Sequence, residues 1–123
     1  MRRERAEALT IDEISRQFVE LCLRLQKSAD YDDVPKYNKL MPELMALVNE
    51  LRRREGDQRR FLTSLYRHGN VFVRLMAAQS TLAVAPAEAR GVLEKIRDSR
   101  EMPQALDAGM TLSMLDSGML TPS

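Results

Sequence analysis

Apolar residues along this chain recur mostly at three- and four-residue steps, the spacing that lines one side of an α-helix. Ile11, Ile14, Phe18, Leu21, Cys22 and Leu25 make the first such stripe, and Thr10 with Glu13 has the spacing of a capping box at its start. A helix is predicted from there to about Ala29. "ADYDDVP" then offers Asx side chains for a new cap and Pro35 for a first helical turn. A second helix follows, striped by Tyr37, Leu40, Met41, Leu44, Met45, Val48 and Leu51, with Pro42 predicting a kink or break inside it. Gly56 permits its stop, and Asp57 is placed to cap a third helix carrying Phe61, Leu62, Leu65 and Tyr66.

The pattern changes at "NVFVRLMAAQSTLAVAP", Asn70 to Pro86, which holds one charge in seventeen residues. At about 100° per residue its apolar positions fall on all sides, so a fourth helix is predicted there that is buried nearly all round. Ala77, Ala78 and Ser80 would let neighbouring backbones approach closely. Arg74, the single charge, must then lay its stem in the interior and satisfy its donors on nearby carbonyls or a carboxylate, because an unpaired buried charge is very costly. Pro86 opens a fifth helix with a narrow stripe of Ala89, Val92, Leu93 and Ile96, and Pro103 a sixth that runs to about Ser117. Links this short leave no room for crossovers, so the six helices read as three antiparallel hairpins.

Composition agrees with an all-α class: Leu, Ala, Met, Arg and Glu abound, aromatic residues make up only 5%, and 123 residues suit a single domain, with residues 1–9 expected to fray. Nineteen basic and eighteen acidic residues give a net charge of +1, which steers the chain toward neither nucleic acid nor anionic lipid. Cys22 is alone and cannot form an internal disulfide, the N-terminal stretch lacks an apolar run of signal-peptide length, and no segment approaches 18 apolar residues. A cytoplasmic protein without a membrane segment is expected.

"NVFVRLMAAQSTL" resembles the second helix of a HEAT-type repeat, through Asn70, Val73, Arg74, Ala77, Ala78 and Leu82. Together with "DDVPKYNKL", "LAVAPAEARGVLEKI" and "MPQALDAGMTLSMLDSG", the chain resembles, from about Ala8 to Ser123, a mainly alphaproteobacterial family, the domain of unknown function numbered twenty-nineteen. The resemblance implies a HEAT/armadillo-like α-α superhelix in a bacterial cytoplasm and brings no catalytic residues. A compact bundle is the alternative.

Candidate chemistry is sparse. Asp30, Asp32 and Asp33 lie close together, but an EF-hand register from Asp30 needs Gly where Pro35 stands and an acid where Met41 stands. These carboxylates therefore read as helix caps. One Cys and one His allow no zinc spacing, His68 reads as a helix-end residue, and Gly56 and Gly69 are isolated stops with no phosphate loop around them. No catalytic residue, metal or cofactor is expected, and the chain reads as non-enzymatic.

Two surfaces remain. Arg52, Arg53, Arg54, Arg59 and Arg60 flank the turn at residues 52–60, interleaved with Glu55 and Asp57. A solvated turn or an acidic protein partner suits them better than nucleic acid, because Phe61, the one aromatic nearby, reads as core. The last helix is apolar on two sides: Ala105, Ala108, Leu112, Leu115 and Met119 on one, Leu106, Met110 and Met114 on the other. The second stripe is either covered by an earlier helix, which is favoured, or exposed as an adaptable interface. A protein–protein interaction module follows, with a partner of unknown identity or a second copy at Leu106, Met110 and Met114, and an immunity- or antitoxin-like role as one form. Nucleic-acid binding through the turn is the alternative.

Overall fold

In the computed structural model, which describes residues 3–123, every regular element is a helix. Six are α-helices: α1 (Arg3–Ala8), α2 (Ile11–Asp30), α3 (Val34–Arg53), α4 (Val71–Ser80), α5 (Pro86–Ser99) and α6 (Gln104–Ser117). A 3-10 helix, Gln58–Arg67, brings the count to seven among the described residues, one more than the pattern predicts. By its packing the chain divides into two compact units, Met1–Phe61 and Leu62–Ser123.

The extra element is α1, inside the segment expected to fray; Met1 and Arg2 of that segment lie outside the described residues. Ala6 is buried, and α1 packs on α3. Arg54, at the C-terminus of α3, donates through Nη2 to the Ala6 carbonyl at 3.2 Å and the Leu9 carbonyl at 2.7 Å. One distant side chain thus holds a carbonyl of the last turn of α1 and another just past its end.

The capping box forms: the Thr10 hydroxyl accepts from the Glu13 N–H at 3.1 Å, and the Glu13 carboxylate accepts from the Thr10 N–H at 2.8 Å. Ile14, Phe18, Leu21, Cys22 and Leu25 are buried against α3, which presents Leu40, Leu44, Leu47, Val48 and Leu51. Asp33 caps α3 by accepting from the Lys36 N–H at 3.2 Å, as the linker carboxylates predict. Of the kink or break expected at Pro42, there is no break: α3 runs on through it. Pro42 removes the i+4 donor to the Asn38 carbonyl, and both residues are exposed, where water can replace a lost donor.

The helix predicted from Asp57 is 3-10 in type. Arg59, Leu62 and Leu65 sit three apart, and at three residues per turn they eclipse into one inward edge, with Arg59 and Leu62 buried. Asp57 adopts φ 50°, caps this helix by accepting from the Arg59 N–H at 3.4 Å, and pairs with the Arg59 side chain as well.

In Leu62–Ser123, α4 packs on α5 and α6, and α5 packs on α6. Asn70 caps α4 by accepting from the Val73 N–H at 3.0 Å. Val71, Phe72, Val73, Leu75, Met76, Ala77 and Ala78 are all buried, so the helix is shielded nearly all round, as predicted. It ends at Ser80, short of the stretch up to Pro86 over which it is predicted. The Thr81 hydroxyl donates back to the Ala77 carbonyl at 2.8 Å, the Val84 and Ala85 N–H groups both turn back to the Thr81 carbonyl, and Ala85, preceding Pro86, is driven out of helical backbone. Ala89, Leu93 and Ile96 of α5 and Ala105, Ala108 and Leu112 of α6 supply the rest of this core. Gln79 donates to the Thr111 hydroxyl at 3.0 Å, tying α4 to α6, and Arg90 pairs with Asp116 at 2.7 Å, tying α5 to α6.

Candidate functional site

Arg74 sits one turn into α4 with its side chain about three-quarters buried. Its Nη1 donates to the His68 carbonyl at 2.8 Å and the Gly69 carbonyl at 3.2 Å, and Nη2 lies 3.4 Å from the Glu101 carboxylate. These are the two partner types its burial demands. His68 joins the same loop, its Nδ1 accepting the Asn70 N–H at 3.0 Å, so the single histidine holds the entry to α4. Cys22 is fully buried, and desolvation pushes its thiol up to about 12, which leaves no thiolate for nucleophilic work at neutral pH. Among the described residues no three His, Cys, Asp or Glu side chains gather as a metal site.

Of the five arginines of the basic turn, three pair with carboxylates of that turn or of α3. Arg54 donates through Nε to Glu50 at 2.7 Å besides clamping α1, and Arg53 pairs with both Glu50 and Glu7. Desolvation of Glu50 alone would raise its pKa, but hydrogen bonds from Arg54 and Arg53, with their charges, outweigh it and hold the carboxyl below the ordinary glutamate range. Arg59, expected on the surface, is buried and bidentate to Asp57, at 2.9 Å from Nε to Oδ1 and 2.6 Å from Nη2 to Oδ2. That side-chain hydrogen bond lowers the Asp57 pKa. Arg52 and Arg60 are exposed. Phe61, predicted as core, is also exposed, at 54%.

The favoured reading of the last helix is overturned: its second stripe is not covered. Leu106, Met110 and Met114 are 62%, 56% and 37% exposed, and Met102, one further step of four back along the chain, is 68% exposed. The opposite side of α6 holds Ala105, Ala108 and Leu112, all buried. Ala105 and Ala108 let α6 approach its neighbours closely, while Leu106, Met110 and Met114 face outward. No basic residue lies on α6; its charges are Asp107 and Asp116, and partial burial raises the Asp107 pKa.

A hollow of about 450 Å³ opens within Leu62–Ser123, lined by Tyr66, Arg67, Arg74, Val92, Lys95, Ile96 and Ser99. The Tyr66 hydroxyl is bonded to that of buried Thr81, which fixes the ring. Sequence reasoning missed this group because Arg67, Arg74 and Lys95 share no motif and meet only through the packing of α4 on α5. Within Met1–Phe61, one hollow of about 490 Å³ includes Met45, Asn49, Glu50 and Arg53, and another of about 210 Å³ lies beside Asp32, Asp33 and Tyr37.

Among its described residues this is an all-helical protein. The family model for "Domain of unknown function (DUF2019)" matches residues 12–116. The chain belongs to that family, and α1 lies outside the matched span. The crystal structure of the protein RPA1889 from Rhodopseudomonas palustris CGA009 is similar at a TM-score of 0.93 and 38% identity, over 95% of this chain and 97% of that one. Among curated proteins none matches. No helix among the described residues is long and apolar enough to cross a membrane.

Proposed function

We propose that this chain is a non-enzymatic protein–protein interaction module of the bacterial cytoplasm, a short HEAT/armadillo-like stack that docks a helix of another protein on α6. One observation carries the reading: Leu106, Met110 and Met114 form a continuous exposed apolar stripe on a helix whose other side is buried. Such stripes mark interaction sites, and methionine adapts to the partner it meets. The occupant is an amphipathic helix with basic flanks, because α6 carries Asp107 and no basic residue, its other acid, Asp116, being paired already with Arg90. A second copy would set acid against acid in the same place. An immunity- or antitoxin-like protein, which neutralises one dedicated partner, is a specific form of this reading.

The test uses two synthetic amphipathic helical peptides with the same leucine face, one flanked by lysines and one by glutamates, titrated against the full chain. The lysine peptide is expected to bind, and Leu106→Glu with Met110→Glu to weaken it at least tenfold. Equal binding of both peptides, or binding indifferent to those substitutions, overturns the reading. A concentration-dependent dimer by light scattering replaces the foreign helix with a second copy.

Nucleic-acid binding at residues 52–60 keeps one supporting observation, exposed Phe61 beside exposed Arg60. Against it, Arg54 and Arg59 spend their donors on Glu50, on backbone and on Asp57.

A further inference from the structure

We infer that the hollow lined by Arg67, Arg74 and Lys95 binds a small organic anion, a carboxylate or phosphate monoester carrying a compact apolar group. This goes beyond the docking surface and uses different residues. Its volume, about 450 Å³, lies within the roughly 300–1,000 Å³ common to small-molecule sites. Three cations line it and no acid does. Arg67 and Lys95 are exposed, and neither has an ion-pair partner among the described residues.

The other two hollows lack this imbalance. One pairs Glu50 with Arg53 at its wall, and the other is flanked by Asp32 and Asp33.

The parts have distinct roles. Arg74 is held in place by the His68 and Gly69 carbonyls, so its guanidinium is positioned before any ligand arrives. Its remaining contact, Glu101 at 3.4 Å, is a loose pair with a half-exposed carboxylate that an incoming anion displaces. Arg67 and Lys95 close on the anion from the solvent side as mobile charges. Val92 and Ile96 supply apolar wall for the body of the ligand, beside the ring of Tyr66. With the Thr81 proton committed to Ala77, the Tyr66 hydroxyl donates to Thr81, and it is the ring that faces the ligand. Ser99 spends its hydroxyl proton on the Ile96 carbonyl and contributes shape.

The experiment titrates the full chain at low salt with inorganic phosphate, phenyl phosphate and benzoate, reading backbone amide shifts of Val92, Lys95, Ile96 and Ser99. Phenyl phosphate is expected to bind with Kd below about 1 mM and about tenfold tighter than inorganic phosphate, the ring supplying the difference through apolar burial. Benzoate binding as tightly as phenyl phosphate assigns a carboxylate site; weaker benzoate binding assigns a phosphate ester. Arg67→Glu and Lys95→Glu, both at exposed positions, should each weaken binding tenfold or more, and Lys39→Glu, in the other unit, should leave it unchanged. The inference is overturned if no probe saturates by about 10 mM, a concentration well above the Kd expected, or if Lys95→Glu and Lys39→Glu act alike. Loss of the docking reading leaves this result untouched, since neither Leu106 nor Met110 lines the hollow.

Discussion

α4 and α6 carry the fewest charges of the helices, one and two, yet they end in opposite circumstances. Seven of ten α4 residues are buried, and its one charge lies near the start, where loop carbonyls are within reach. α6 buries Ala105, Ala108 and Leu112 and leaves Leu106, Met110 and Met114 in water. Apolar content does not by itself decide burial. On α6 the buried side sets Ala105 and Ala108 beside Leu112, the alanines permitting close helix approach, and Leu106, Met110 and Met114 remain outside, where they add nothing to the core and are available to a partner.

The sharpest way to break this contrast is a cavity in α4. Leu75 is fully buried, so Leu75→Ala removes its transfer free energy and leaves a void in closely packed surroundings. The expected loss is about 2–5 kcal/mol, measured by urea denaturation with an unchanged m-value. A loss near that of a surface substitution would mean that α4 is not a packed centre.

Which parts of this were legible follows from how many solutions each residue allowed. Arg74 was legible because a charge on a dry helix has few affordable partners, and the loop carbonyls and Glu101 are two of them. The stripes of α2, α3 and α5 were legible from spacing, as were the Thr10 and Asp33 caps. Spacing was silent elsewhere. It gives the faces of α6 but not which one a neighbour covers. The steps of three between Arg59, Leu62 and Leu65 suit an α-helix as well as the 3-10 form. α1 is six residues of mostly charged sequence, and its attachment comes from Arg54, 45 residues beyond the Leu9 carbonyl it holds. The basic turn misled because counting arginines says nothing of Glu50 and Asp57, which claim three of the five.

Arg54 also sharpens the comparison, because it resembles Arg74 in every respect but one. Each arginine donates to two backbone carbonyls and a carboxylate, but Glu50 is only 8% exposed and Glu101 is 53% exposed. The Glu50 pKa is depressed in the fold, so its contribution is complete above the ordinary glutamate value of about 4.3 and is lost as pH falls through the folded value. Protonating Glu50 releases the Arg54 guanidinium that reaches α1, whereas the looser, half-exposed Glu101 pair contributes little to holding Arg74, so the hold on the α4 entry persists in acid while that on α1 weakens. Amide exchange in α1 should accelerate below about pH 4, and Glu50→Gln should flatten that dependence while leaving exchange at the α4 entry alone. Equal acid sensitivity at both sites would remove the distinction between the two arginines.

The smallest expected effect tests the other half of the contrast. Leu106→Gln together with Met110→Gln replaces two side chains that are already more than half in water. Hydrophobic stabilisation scales with the area removed from water, and these residues have little such area to lose. Glutamine is close to leucine and methionine in helix propensity, and the pair is spaced one turn apart, so their mutual contact contributes only about 0.2–0.5 kcal/mol. The double substitution should therefore change folding stability by no more than about 0.5 kcal/mol, against the several lost at Leu75. A loss of about 2 kcal/mol or more, the cost of disturbing a buried site, would place the stripe inside a packed interface of the protein itself and leave α6 no face to offer.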